Sequence, residues 1–313
     1  DAKWSHEEVA ISGGQSYSFR SWYKSNKLTS FNVRYRLNNG QYSYIWLGDV
    51  QSSSQNWREF SSVFTVPANA VGLTVFQALG AKGNFTIDDY ELYAVSSNFS
   101  QPMVSLVFDD GWKSIYEKAI PILDSAGIKS TQYIVSDFLG ENSYMTQDDV
   151  LAMAVLGHEI GAHSRTHAHL TQLNASQLQS EVVGNRDDLQ AMGFDPVTFT
   201  YPYGEYNDVV IQAVKDAGYV GARSVDVGFN IPSSNRYVLK DQHVESGVTV
   251  SDAKQWIDEA IASKQWLIIE LHEQEVGGGQ YSNNPAVLQG IVDYLLSTGV
   301  QTVTVKEGIG LME

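Results

Sequence analysis

Two textures of hydrophobic patterning meet near residue 100. Before it, apolar and polar positions alternate in short runs at 16–24, 31–37, 41–47, 57–66, 72–79 and 83–94, parted by turn-forming Gly13-Gly14, Asn39-Gly40 and Pro67-Ala68-Asn69. No 3.6-residue period interrupts them. Short alternating strands with frequent turns predict an all-β sandwich over residues 1–98. The stretch from Ser96 to Pro102, small and polar around one Phe, reads as a linker.

From 103 to 313 the pattern changes to apolar strand-like runs alternating with amphipathic helical ones. Strand 103–108 precedes helix 114–126, which stops at Gly127. Strand 130–135 precedes helix 146–156, with Thr146 as its cap and Gly157 as its stop. Segments 159–163, 176–192, 198–203, 208–217, 220–224, 252–263, 266–272, 285–297 and 301–305 continue the alternation. Repeated strand–helix units require parallel strands with helices outside, as a barrel or an open sheet, so the fold class is α/β behind an all-β domain.

In a barrel of this kind, chemistry gathers at the C-terminal ends of strands. Strand 103–108 ends in Asp109-Asp110-Gly111, and 159–162 ends in His163-Ser164-Arg165-Thr166-His167. The run 198–201 ends in Pro202-Tyr203-Gly204, and 266–271 ends in His272. His163 and His167, four apart, would share one face of a helical turn and chelate one ion with a nearby carboxylate. The spacing alone fits two solvated histidines equally well. Asp109 and Asp110 diverge at a strand end, so one could bind metal while the other faces water; a turn with two solvated acids is the plain alternative. His158 and His169 lack the right phase and read as surface or packing residues.

Composition narrows the chemistry. With no cysteine, thiolate ligands, thiol nucleophiles and disulfides are excluded, so a metal must take His and carboxylate ligands. Twenty basic against 36 acidic residues give a formal charge of −16, which disfavours nucleic acid and anionic lipid as partners. No run is apolar and long enough to span a bilayer. The chain opens at Asp1 without an initiator Met, which reads as a processed, secreted protein of the cell exterior or envelope. A monomer is expected.

Phe108-Asp109-Asp110-Gly111, His163-Ser164-x-x-His167, Pro202-Tyr203-Gly204 and the late strand with His272 resemble, in order, the motifs of the polysaccharide deacetylases. These form carbohydrate esterase family 4, with its NodB homology domain. The resemblance covers about two thirds of the chain. It implies a distorted (β/α) barrel of seven or eight strands that hydrolyses acetyl groups from sugars. Chitin- or peptidoglycan-like polymers of N-acetylglucosamine are the first expectation. Acetyl xylan, or a sugar-binding protein with an impaired catalytic half, is the alternative. Paired acids could also suit a glycosidase, but adjacent carboxylates cannot flank a glycosidic bond.

Residue by residue, the resemblance makes Asp109 the general base and His272 the general acid. Asp110, His163 and His167 become ligands of a divalent metal, zinc first, with cobalt, nickel or manganese as alternatives. The Tyr203 N–H would help hold the oxyanion, Leu271 would line the acetyl-methyl pocket, and Ser164 would brace the histidine loop. Two departures stand out. The family's third motif carries an Arg where Thr200 stands, and Arg223 is the candidate substitute. The fourth motif has no clear match, which leaves Asp226 and Asp241 as candidates to support His272.

Residues 57–67 and 83–89 resemble the second half of a jelly-roll carbohydrate-binding module. A hairpin turning at Asn39-Gly40 would set Val33, Tyr35 and Leu37 opposite Trp46, Tyr44 and Tyr42, a mixed row that reads as core. Trp22, sharing its face with Ser18, Arg20 and Lys24, is the expected sugar contact.

Overall fold

Alternation of side chains between two faces organises both units into which the chain divides, residues 1–97 and 98–313. The computed structural model describes residues 3–95 and 98–312, so Ser96 and Ser97 of the expected linker lie outside the described residues.

Among the described residues, the first unit has eight antiparallel strands: β1 (Lys3–Ser5), β2 (Val9–Ala10), β3 (Ser16–Ser25), β4 (Thr29–Leu37), β5 (Tyr42–Val50), β6 (Ser53–Thr65), β7 (Ala70–Leu79) and β8 (Phe85–Val95). One sheet runs β1-β7-β4-β5 with β2 also on β7, and the other runs β6-β3-β8. Phe19 and Tyr23 from β3 and Phe64 from β6 share a core with Phe31 and Val33 from β4 and Leu73 and Val75 from β7, so the two sheets pack as a sandwich.

Its β4–β5 hairpin corrects one expectation. The loop has three residues, Asn38 to Gly40, with Gly40 at φ 82° and Leu37 N donating to Gln41 O. A Gly in left-handed backbone after a turn is the usual three-residue solution, and it shifts pairing by one residue from a two-residue turn. Tyr42, Tyr44 and Trp46 therefore face Arg36, Arg34 and Asn32, not the core. They are 50%, 61% and 64% exposed, and Arg34 lies over the Tyr42 ring. Trp22 is half-buried on the central strand, between Glu59 and Asp88.

The second unit is a parallel barrel of β9 (Met103–Phe108), β10 (Thr131–Ile134), β11 (Glu159–Ala162), β12 (Thr198–Thr200), β13 (Gly221–Val227), β14 (Leu239–His243) and β15 (Trp266–Leu271). It closes because β9 pairs with β15 along one edge and with β10 at Val107 and Phe108 on the other. The lower part of that second edge takes an eighth short strand, β16 (Gln301–Thr302), against Met103 and Val104. Seven strands close the ring, and the eighth is a wedge at its N-terminal end.

Helices α1 (Ile120–Ser125), α2 (Gln147–Val155), α3 (Ala175–Ala191), α4 (Asp208–Asp216), α5 (Val250–Ser263) and α6 (Pro285–Thr298) form the outer layer, and a π-helical turn at Ile115–Ala119 leads into α1. Capping boxes at Thr146/Asp149, Asn174/Gln177 and Thr249/Asp252 start α2, α3 and α5. Outward residues such as Val104, Leu106, Phe108, Leu267, Ile269 and Leu271 pack under these helices. Inward residues form a second core: Met103, Val107, Tyr133, Leu239, Trp266 and Ile268, joined by Val305 and Ile309 of α7 (Val305–Gly310). The barrel is thus plugged at its N-terminal end, where Glu159 accepts from Thr131, Thr198 and the Lys306 N–H. Asp109, Arg223, Asp241 and Glu270 lie toward the other end, where the site sits. Among the described residues, no helix is long and apolar enough to cross a membrane.

Candidate active site

Asp110, at the head of β9, has left-handed backbone at φ 73°, followed by Gly111 at φ 85°. For a non-glycine residue that conformation costs ~1–2 kcal/mol. It lets successive carboxylates serve different neighbours. Trp112 Nε1 donates to Asp110 Oδ2 at 3.0 Å, leaving Oδ1 to face His163 Nε2 at 3.4 Å and His167 Nε2 at 3.5 Å. His163 Nδ1 lies 2.9 Å from the Thr200 carbonyl. A carbonyl only accepts, so Nδ1 carries the proton and Nε2 presents its lone pair.

The two histidines meet through a loop rather than the expected helical turn. Ser164 and His167 have φ 61° and 59°, and His167 N donates to Ser164 Oγ at 3.0 Å. Four of the seven non-glycine residues with positive φ among the described residues are Asp110, Ser164, His167 and Tyr203. Strain of this kind persists where the surroundings over-determine it, and here it is concentrated around one spot.

Burial pushes the His167 imidazole down to about 4, keeping it neutral as a ligand must be. Burial would raise the Asp110 carboxyl, but the His163, His272 and His167 rings near it outweigh that and hold it below the usual carboxylate range. Two imidazoles and one carboxylate, with donor atoms within 4.8 Å of one another, make the donor set of a catalytic divalent site with open positions. Two other groups meet the same spacing: Asp109, Glu270 and His272, and Asp241, His243 and Glu270. Both include carboxylates that already face Arg223, so an ion there would sit beside a fixed positive charge. The residues fit a metal at the first group and not at the other two.

Asp109 is buried, with Oδ2 on the Arg223 guanidinium and Oδ1 buried without a partner. Arg223 is fully buried, also contacts Asp241, and donates to Ser224 O at 3.1 Å. Burial alone would disfavour its charge, but Asp109, Asp241 and Glu270 hold it well above its ordinary value. In the β12–β13 register, Arg223 stands directly opposite Thr200. The guanidinium missing from position 200 enters the barrel at the same height from the adjacent strand.

His272 Nε2 lies 3.3 Å from Glu270 Oε1. Neither expected support reaches it. Asp226 is exposed and accepts from Tyr206 Oη, while Asp241 serves Arg223 and His243. Leu271 also departs from expectation. Glu270 and His272 point inward, so Leu271 between them points into the outer helical core and is absent from the pocket wall. The pocket, about 340 Å³, is lined by Asp109, Asp110, His163, His167, Glu270 and His272, with Tyr201, Tyr203, Val225, Val244 and Tyr281 among its apolar surfaces.

Glu270 escapes a reading of strand ends because it lies within β15, and His243 because no apolar run marks the strand it ends. Desolvation lifts the Glu270 carboxyl to about 7, against the opposing pull of Arg223 and His272. The hydrogen bond that its Nε2–H gives to the Asp241 carboxylate lifts His243 to about 9. Outside the pocket, His158 is buried against Ser130 and Asp124, and exposed His169 stacks on Tyr203 with centroids 4.1 Å apart.

Residues 96–222 match the family model described as polysaccharide deacetylase, a span that contains Asp109, Asp110, His163, His167 and Tyr203. The barrel is a polysaccharide deacetylase domain. The putative polysaccharide deacetylase YxkH of Bacillus subtilis is 28% identical over 153 residues, covering 49% of this chain and 55% of its own. The chain therefore spans little more than half the length of that relative. A peptidoglycan-N-acetylglucosamine deacetylase of Bacillus cereus is 23% identical over 228 residues, 70% of this chain and 92% of its own. Among solved structures, the Xyl-CE4 domain of a multidomain xylanase from the hindgut metagenome of Trinervitermes trinervoides is 22% identical with a TM-score of 0.49, covering 66% of this chain and 89% of that one. In this deacetylase domain, Arg223, Asp241, Glu270 and His272 lie beyond the segment that the family model matches.

Proposed function

We propose that the deacetylase domain hydrolyses acetyl groups from a polymer of N-acetylglucosamine, with zinc as its metal, outside the cytoplasm. The observation that carries this reading is Asp109. Its one unpartnered oxygen is buried beside a group able to hold a divalent ion, and its other oxygen is tied down by Arg223. An ion held by Asp110, His163 and His167 would supply carbonyl polarisation and make water more acidic. Asp109 Oδ1 takes the proton of the attacking water. His272 gives a proton to the leaving nitrogen, which departs poorly as an anion. The Tyr203 N–H serves as a fixed donor to the developing oxyanion. The Bacillus cereus relative is named for N-acetylglucosamine in peptidoglycan, which supports an amide over an ester; O-acetyl xylan is the second substrate.

For the first unit we propose a polymer-capturing role through Tyr42, Tyr44 and Trp46 rather than Trp22. Alternate strand positions lie ~6.6–6.8 Å apart, so the row offers successive exposed rings on which sugar faces can stack.

The test is acetate release from chito-oligosaccharides, peptidoglycan and acetylated xylan, with and without zinc. Release should be greatest on the first two and should need metal. Asp109→Asn should keep the metal and lose ~10²–10⁴-fold in rate. No release from any substrate by the metal-loaded protein would overturn the reading, and near-normal turnover of Asp109→Asn would remove Asp109 as the base.

A further inference from the structure

Glu270 interrupts an otherwise apolar strand, Trp-Leu-Ile-Ile-Glu-Leu, two residues before His272. Strand alternation sends both side chains into the barrel mouth. The two Glu270 oxygens face different partners. Oε1 lies 3.3 Å from His272 Nε2, while Oε2 lies 3.7 Å from Arg223 Nη1 and 3.5 Å from His243 Nε2. Arg223 in turn holds Asp109.

We propose that Glu270 is the positioning residue of His272, and that through Arg223 it ties the proton-donating arm of the site to the proton-accepting arm. The inference rests on the deacetylase reading for its catalytic consequence and on geometry alone for the contact. Charge balance supports it. Three carboxylates, Asp109, Asp241 and Glu270, crowd one buried guanidinium, and His243 supplies a second positive charge beside Asp241. Buried charges must be matched. The Glu270 oxygen that faces neither Arg223 nor His243 is left to the His272 imidazole.

The test compares Glu270→Gln, His272→Ala and the double variant on an N-acetyl oligosaccharide and on an activated aryl acetate, whose phenolate needs little protonation. Glu270→Gln should lose about tenfold or more additional rate on the amide relative to the ester, as a lost proton donor does. In the His272→Ala background it should cost nothing beyond about twofold, because residues acting as one unit are not additive. Metal content should match the parent in all variants. A readout independent of turnover is the ring nitrogen resonance of His272, assigned by its disappearance in His272→Ala: Glu270→Gln should shift it. An unmoved resonance, equal losses on both substrates, or full additivity would overturn the proposal. A parent protein inactive on every substrate would instead sink the deacetylase reading, while the resonance still decides the contact. If the Gln variant does not fold, Glu270→Asp draws the carboxylate back from both partners and gives the same comparison.

Discussion

At the scale of single residues, the metal group makes the sharpest prediction. His163→Ala and His167→Ala should each lose stoichiometric metal on dialysis, measured by elemental analysis, because two remaining donors do not make a catalytic site. Full retention in both would place the ion elsewhere. His243 sets a pH dependence. Its pKa is about 9 in the folded protein against 6.5 ordinarily, so it binds a proton more tightly when folded. That contribution to stability is complete below about pH 6.5 and is lost as pH rises through about 9. Thermal melts of the metal-free protein should fall in midpoint between pH 6.5 and 9.5, and His243→Gln should flatten the fall. Asp109, His163 and His272 are legible in sequence because each directly follows an apolar run, and Asp110 and His167 because of their spacing from the first two. Glu270 is not, because it lies inside a run read as one strand with its end at His272, and only a charge at an inward position two before His272 gives it away. Leu271 misleads for the complementary reason: adjacency along a strand means opposite faces.

Elements were legible where burial made them apolar and illegible where function made them polar. Strand 103–108 is read to the residue, since all six of its positions are buried. The strand Leu239–His243 escapes notice because its inward positions carry Asp241 and His243, so no hydrophobic alternation marks it. The hairpin between β4 and β5 fails differently. Its Asn-Gly signal was present, but loop length decides register, and one residue reverses the faces of a whole strand. At the closed end of the barrel, Gly308 of α7 lies under the buried Trp266 ring, where an added Cβ would come within 2.3 Å. Gly308→Ala should lower stability by ~1–3 kcal/mol. The ring is enclosed and cannot swing away, so overpacking outweighs any gain in helix propensity. Chemical denaturation at constant slope would read the loss, and an unchanged midpoint would mean that the plug is loosely seated.

For the whole molecule, the change of texture near residue 100 coincides with the division into units at 97 and 98. A fragment beginning at Asn98 should keep acetate release from soluble chito-oligosaccharides, because every residue of the pocket lies within it. Tyr44→Ala with Trp46→Ala in the full chain should leave that activity unchanged and weaken retention on insoluble polymer, measured by pull-down. Equal retention would remove the exposed row from any role in capture. The placement of Arg223 carries a wider consequence. From Thr200 to Arg223 is 23 positions along the chain but a single step around the ring. A closed parallel barrel can therefore pass a functional group sideways to the next stave while its height, and so its chemistry, stays fixed. Kinship among such enzymes is better traced as a set of occupied compass bearings at one level than as letters in a fixed order, and a search that insists on the order will pass over chains whose chemistry is intact.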